Sequence, residues 1–322
     1  MLRWVLATLL FFLVVIELVF FAPSSGDREL KNDLQSPEIK KQTEDNEQVL
    51  SGGYLVESKN EKKQWELWSK VARKKRGGED WDLDKVKVRF YGENRVSYVA
   101  EGAHGYVAED QKKLRIEGDV VIRSSNGYVL KTEVIYYNQK TRLIEGPEPV
   151  DLKGPDEEGE AGPLYLTGNK FEADMNTNRI KIVGNVKGRK KMSGQRNMKI
   201  SSHQATFSGQ SKLGLFEKNV IIDVNQIRIT GPKARFLYAN EELHSMFVDG
   251  GVHISDVGKW GVAGQAEVFF KEDKYVFKGS PKVVQGEDEL VGDIITIYDG
   301  GERIQVKKAK AKYRTDTAEG NP

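Results

Sequence analysis

The chain has no cysteine among its 322 residues. That excludes a disulfide framework, thiolate chemistry and a cysteine-type zinc site. It has only four histidines, His104, His203, His244 and His253, and none has the i,i+4 spacing of a helical metal pair. It lacks an excess of either charge: 50 Lys and Arg offset 48 Asp and Glu, leaving a net charge of +2. That balance argues against a nucleic-acid footprint. The G-x-S-x-G elbow and a phosphate-cradling glycine loop are both missing. A glycosidase needs two carboxylates on one cleft, and Glu117 and Glu172 are the residues to check. No catalytic residue, metal ligand or cofactor is expected. Beyond the N-terminus no 3.6-residue apolar stripe lasts three turns, so helical architectures are set aside.

What the chain has is one phrase, rewritten. In LRIEGDVVI, Leu114 to Ile122, an apolar run meets a Gly, takes one polar residue and restarts with apolar alternation. RIKIVGNVKG and MFVDGGVHI repeat it, LFEKNVII puts Lys218 at the Gly position, and RLIEGPEPV and YVFKGSPKVV insert a Pro. The pivots Gly118, Gly146, Gly184, Lys218, Gly250 and Gly279 are spaced 28, 38, 34, 32 and 29 residues apart. A second module follows each, apolar-x-small-x-x-apolar-x-apolar, as in Leu130, Thr132, Ile135 and Tyr137. Later copies begin at Leu166, Ile200, Ile229, Val262 and Leu290, and the copy at Val262 is imperfect, with Glu267 at an apolar position. A half copy lies upstream at Ala100, Gly102, Gly105 and Val107.

Apolar residues at every second position, mostly β-branched or aromatic and punctuated by Gly, Asn and Asp, predict strands with one buried face. The expected fold is all-β: repeated antiparallel strands stacked in two sheets. If each repeat adds one rung to each sheet, six or seven rungs at ~4.8 Å make a stack ~30 Å long.

The N-terminus differs. Trp4 to Ala22 is apolar except for Thr8 and Glu17. Nineteen residues at helical rise span about 28 Å, close to the ~30 Å hydrocarbon core. Arg3 favours a cytoplasmic N-terminus and places the rest across the membrane; a cleaved signal peptide is the rival reading. Glu17 sits near the outer interface or faces a membrane partner. From Pro23 the chain is polar, a tether to about residue 50. The acidic KGPDEEGEAGP stretch divides the folded region into lobes 51–158 and 159–314; since repeats continue on both sides, one uninterrupted sheet is the alternative, and a disordered tail is expected over 315–322. Basic clusters at Arg73–Arg76 and Arg189–Lys191 read as solvated loops.

The order of helix, VAEGAHGYVAEDQKKLRIEGDVVIRSSNGYVLKTEVIYYN and GPEPVDL resembles LptC, a membrane-anchored periplasmic protein of lipopolysaccharide export. The far end, YVFKGSPKVVQGEDELVGDIITIYDGGERIQV, is similar to LptA, the soluble bridge protein of the same OstA-like β-jellyroll family. Together they cover most of Ser51 to Tyr313. The chain is much longer than one such domain, so an elongated LptC and an LptC–LptA fusion are both open.

The resemblance implies a non-enzymatic conduit. It would accept lipopolysaccharide from an inner-membrane ABC transporter complex (LptB/F/G-like) and dock end to end with further β-jellyroll proteins. Candidate groove-lining residues are Ile116, Val120, Ile122, Leu130, Ile135, Tyr137, Ile182, Val186, Phe207, Phe236, Ile254, Phe269 and Ile297; a closed sandwich core uses the same alternation. In the last strand Ile304 and Val306 share one phase and Ala309, Ala311 and Tyr313 the other, implying a bulge near Lys307–Lys308. Its Lys-rich face either guards an edge or docks a partner strand. The competing function is an anchored β-solenoid scaffold or adhesin without lipid cargo.

Overall fold

The computed structural model describes residues 46–312 apart from the turns at 60, 76–79, 93–95, 109–112, 157–160, 194–195, 210, 240–241 and 299–302. The expected membrane helix, Glu17, most of the tether, Tyr313 and the tail lie outside the described residues. Among the described residues no helix is long and apolar enough to cross a membrane.

The described chain is all strand and turn, and every pairing is antiparallel. Six strands open the sheet: β1 (Asn46–Lys59), β2 (Lys62–Lys75), β3 (Trp81–Tyr91), β4 (Ser97–Val107), β5 (Lys113–Ser124) and β6 (Val129–Asn138). Then β7 (Leu143–Gly146) and β8 (Val150–Lys153) share the next rung, and β9 (Tyr165–Gly168) and β10 (Lys170–Asp174) the one after. Six unbroken strands follow: β11 (Arg179–Lys191), β12 (Asn197–Ser208), β13 (Leu213–Val224), β14 (Ile227–Ala239), β15 (Glu242–Asp256) and β16 (Lys259–Phe269). The last three rungs are again split: β17 (Lys274–Lys278) with β18 (Lys282–Gln285), β19 (Asp288–Val291) with β20 (Ile294–Tyr298), and β21 (Arg303–Lys307) with β22 (Lys310–Lys312). Each rung pairs with the one before and the one after it.

The pivots fold this ladder lengthwise. Gly118–Asp119, Gly184–Asn185, Lys218–Asn219, Gly250–Gly251 and Gly279–Ser280 all have left-handed φ at both positions. In β5, β11, β13 and β15 each pair adds one residue to its strand relative to the neighbour, which makes a β-bulge. A bulge bends its strand sharply. Stacked bulges make a spine, so each rung gives one half to each sheet, alternately its first and its second. The first sheet contains β7, β10 and the first half of β11, and the second contains β8, β9 and the second half of β11. Lys218 stands in for Gly because its side chain is exposed to solvent.

The small residue of the second module makes room at this spine. A Cβ on Gly102, Gly168 or Gly231 would lie 2.5 Å from Ile116 Cγ2, 2.3 Å from Ile182 Cγ2 or 2.7 Å from Val248 Cγ1. The residue two before each pivot therefore packs onto the small residue of the neighbouring strand. Between the sheets runs one continuous core. In its middle Phe216 sits between Ala205 and Ala234 in register, and meets Phe207 and Phe236 edge-on at 5.7 and 5.2 Å.

Several expectations are corrected. Each repeat supplies two rungs rather than one, and the stack runs to 17 rungs, about 80 Å at ~4.8 Å spacing. Of the two readings of the acidic stretch, the pairing follows the uninterrupted sheet: Val150 pairs with Gly168 and Lys153 with Tyr165 across it. The first strand starts at Asn46, inside the expected tether. The basic clusters are not loops, since Arg73 lies in β2 and Arg189 to Lys191 end β11. The bulge near Lys308 is present, with φ 56° between β21 and β22.

Candidate functional site: the seam between the sheets

Opposite the spine, the free ends of the two sheets approach each other along a seam. Polar latches cross it. Arg142 Nη2 donates to the Tyr91 carbonyl at 2.6 Å, and the Tyr98 hydroxyl donates to Asn178 Oδ1. Further along, Arg196 donates to Asp273 Oδ1 at 3.0 Å and to the Phe270 carbonyl at 2.6 Å. Burial pushes the Tyr98 hydroxyl up to about 12, so it stays a protonated donor. Burial, with the Asp273 charge adding to it, does the same for Tyr275.

Between the latches the seam is open. A window of about 460 Å³ is lined by Val96, Tyr128, Leu164, Phe207, Leu213 and Tyr238. That falls within the ~300–1,000 Å³ range of small-ligand pockets. A second opening lies at the C-terminal end, where Ile227, Ile254 and Trp260 face Tyr275, Ile297 and Ile304. A third, at the N-terminal end, is lined by Leu50, Tyr54, Leu67, Trp81 and Val107.

The sequence candidates fall at different depths. Ile116, Val120, Ile135, Ile182, Val186 and Phe236 are wholly buried, and Ile122, Leu130 and Tyr137 nearly so. Phe207 reaches the window, and Ile254 and Ile297 are half-buried at the C-terminal opening. Phe269 is a correction. It lies on the outer face, where Lys274 Nζ stands 5.0 Å from its ring centroid. The inward residues of β16 are Gly261, Ala263, Ala266 and Val268, one residue out of phase with the copy placed at Val262. A one-residue slip sends every side chain to the other face, and Glu267 at an apolar position was its symptom. At the last rung Ile304 is exposed and Val306 packs on the core.

Sequence reasoning missed the latch residues, which carry no local pattern because their partners lie up to 80 positions away. It also missed Leu164 and Leu213, which sit at strand ends outside the repeated modules. The glycosidase pair fails on geometry. Glu117 on β5 and Glu172 on β10 are three rungs apart on the outer face, about 14 Å, beyond the ~5–9.5 Å such enzymes use. Among the described residues no three His, Cys, Asp or Glu side chains cluster as a metal site.

A family model described as LptC, lipopolysaccharide-assembly, LptC-related, matches residues 7–191, more than half of the chain. No curated protein matches. One similar solved structure is LptH, described as the LptA-homologous periplasmic component of the conserved lipopolysaccharide transport device from Pseudomonas aeruginosa. It is 9% identical, with a TM-score of 0.34, over 37% of this chain and 95% of that one.

Proposed function

Because this chain belongs to the LptC-related family of lipopolysaccharide assembly, we propose that it is a membrane-anchored conduit carrying lipopolysaccharide between its sheets. The observation that carries the reading is the seam: an apolar interior whose open side is closed by a few polar latches, with a window between them. An acyl chain of a dozen methylenes left in water costs on the order of 10 kcal/mol, at ~0.8 per CH₂. A slot opened along one side shelters acyl chains while the sugar head stays in water. The core is filled by its own side chains, so lipid enters by parting the seam at the window rather than threading an empty tube.

In this reading Trp4 to Ala22 anchors the chain in the inner membrane with the ladder in the periplasm. Lipid arrives from an ABC transporter complex. The edge strands β1 and β21–β22 dock further β-jellyroll proteins end to end.

The test is photocrosslinking in cells exporting lipopolysaccharide, with a photoreactive residue at Phe207 or Phe236 and a control at outward-facing Arg235. Lipopolysaccharide adducts at the two Phe positions and none at Arg235 are expected. Equal adducts at all three, or none during active export, would sink the conduit.

A further inference from the structure

The outer face of the second sheet carries a trough of about 740 Å³ lined by Lys131, Lys187, Arg189 and Lys199 and by Asp151 and Asp223. Asp151 stands opposite Lys131, and among the described residues the central cations Lys187, Arg189 and Lys199 have no acidic partner. Lys187, Arg189 and Lys191 alternate on the exposed face of β11. Arg189 stands directly opposite Lys199 on β12 and, on its other side, opposite Tyr165 on β9. Like charges facing each other across a ladder destabilise it. The neighbour that would relieve Lys199 is Asp223, and it is taken by Arg228, whose Nε and Nη2 donate to its two oxygens at 2.6 and 3.1 Å. Among the described residues Lys187, Arg189 and Lys199 form no ion pair.

Several other outward cations are neutralised, as in Arg235–Asp249 at 2.7 Å, Lys278–Glu267 at 2.6 Å and Lys282–Glu289 at 2.7 Å. Glu145 and Glu172 also face each other, on the first sheet, but Lys181 flanks Glu172 in the next strand. The trough leaves such a repulsion standing at the centre of a concavity.

We propose that this trough binds the phosphorylated sugar head of the lipid whose acyl chains occupy the slot. The assignment rests on the conduit reading and adds the site of the head. Leu164 lines the window and the next residue, Tyr165, lines the trough. One residue of strand is ~3.3 Å, so a head leaving the window reaches Arg189 by folding over the tip of β9. Arg189 lies over the half-exposed Tyr165 ring, 4.9 Å from its centroid. The pair gives a flat surface for a sugar and a guanidinium fork for a phosphate. An anion set between Arg189 and Lys199 turns their repulsion into attraction.

The test uses the full chain in detergent and a deacylated, bisphosphorylated glucosamine disaccharide, which has no acyl chain to enter the slot. Calorimetry is expected to show binding that weakens steeply with salt and falls at least tenfold in Arg189→Gln/Lys199→Gln. Without the probe, the double variant should melt at the same or a higher temperature, because a repulsion has been removed.

Unchanged binding in the double variant, or equal binding of the disaccharide stripped of its phosphates, overturns the proposal. So does a double variant that loses binding to phosphatidylglycerol vesicles but not to the disaccharide, which would make the trough a membrane-facing surface. Disaccharide binding as expected with no crosslink at Phe236 would remove the slot and leave the trough as a sugar-phosphate site.

Discussion

Arg196 and Asp273 lie 77 positions apart in the chain and meet across the seam, Nη1 to Oδ1 at 3.0 Å. The second guanidinium bond, to the Phe270 carbonyl, ties the tip of one sheet to the turn that ends the other. This latch bounds the window on its C-terminal side.

Arg196→Ala should therefore loosen the seam without dissolving the ladder. Loss of a charged donor that leaves a carbonyl unpaired costs about 1–3 kcal/mol. Urea unfolding should show that loss, and hydrogen exchange should quicken around 192–198 and 268–275 ahead of the rest. Under the conduit reading, lipid adducts at Phe207 should rise. Exchange that quickens evenly along the chain would mean the contact is not a latch.

The spine makes a packing prediction. In Gly168→Ala the new methyl would lie 2.3 Å from Ile182 Cγ2. Overpacking of this kind costs about 1–3 kcal/mol. Ile182→Ala, which removes Cγ2, should alone cost ~2–5 kcal/mol, but combined with Gly168→Ala the loss should be well below the sum of the two. A double-mutant cycle with no coupling would disprove the corner packing.

Acid sensitivity should trace to Glu66. Hydrogen bonds from Lys63 Nζ at 2.5 Å, Tyr91 at 2.5 Å and Tyr54 at 3.0 Å outweigh burial and hold its carboxyl at about 2. In the unfolded chain a glutamate titrates near ~4.3. Between those values the unfolded state binds more protons, so the stabilisation is full above ~4.3 and is lost as pH falls toward 2. The urea midpoint should drop between pH 5 and pH 2.5 by more in the wild type than in Glu66→Gln. Equal drops would assign the acid loss elsewhere.

Removing 303–312 takes away only the terminal rung, which pairs on one side. Far-UV circular dichroism should keep its sheet signature; under the proposed end-to-end docking, capture of a neighbouring β-jellyroll protein should be lost, since strand addition needs that edge. Capture at wild-type level would place the docking surface elsewhere.

The pivots were legible because a residue with left-handed φ and a small residue opposite a bulge leave marks in local sequence. Rung number was less so. Gly52 and Lys85 also have left-handed φ, but Lys85 runs into Val86 and Val88 with no Gly and no intervening polar residue, and Gly52 is followed by a second Gly with no Val-x-Ile phrase, so β1 to β3 went unread as repeats. The trough was half visible: Lys187, Arg189 and Lys191 keep period two, the mark of one strand face, but the opposition of Lys199 depends on register. The latches were invisible, because side chains at strand ends meet only once the ladder has folded.

Every rung lies beside its neighbours in sequence, and this has a consequence for how the molecule forms. No distant segments have to find each other before the sheet begins to grow, so the entropy of closing long loops is small. Assembly can nucleate at any hairpin and spread in both directions, with stability accruing by nearest-neighbour terms. Such an architecture lengthens by duplicating a hairpin and needs no redesign of what is already there.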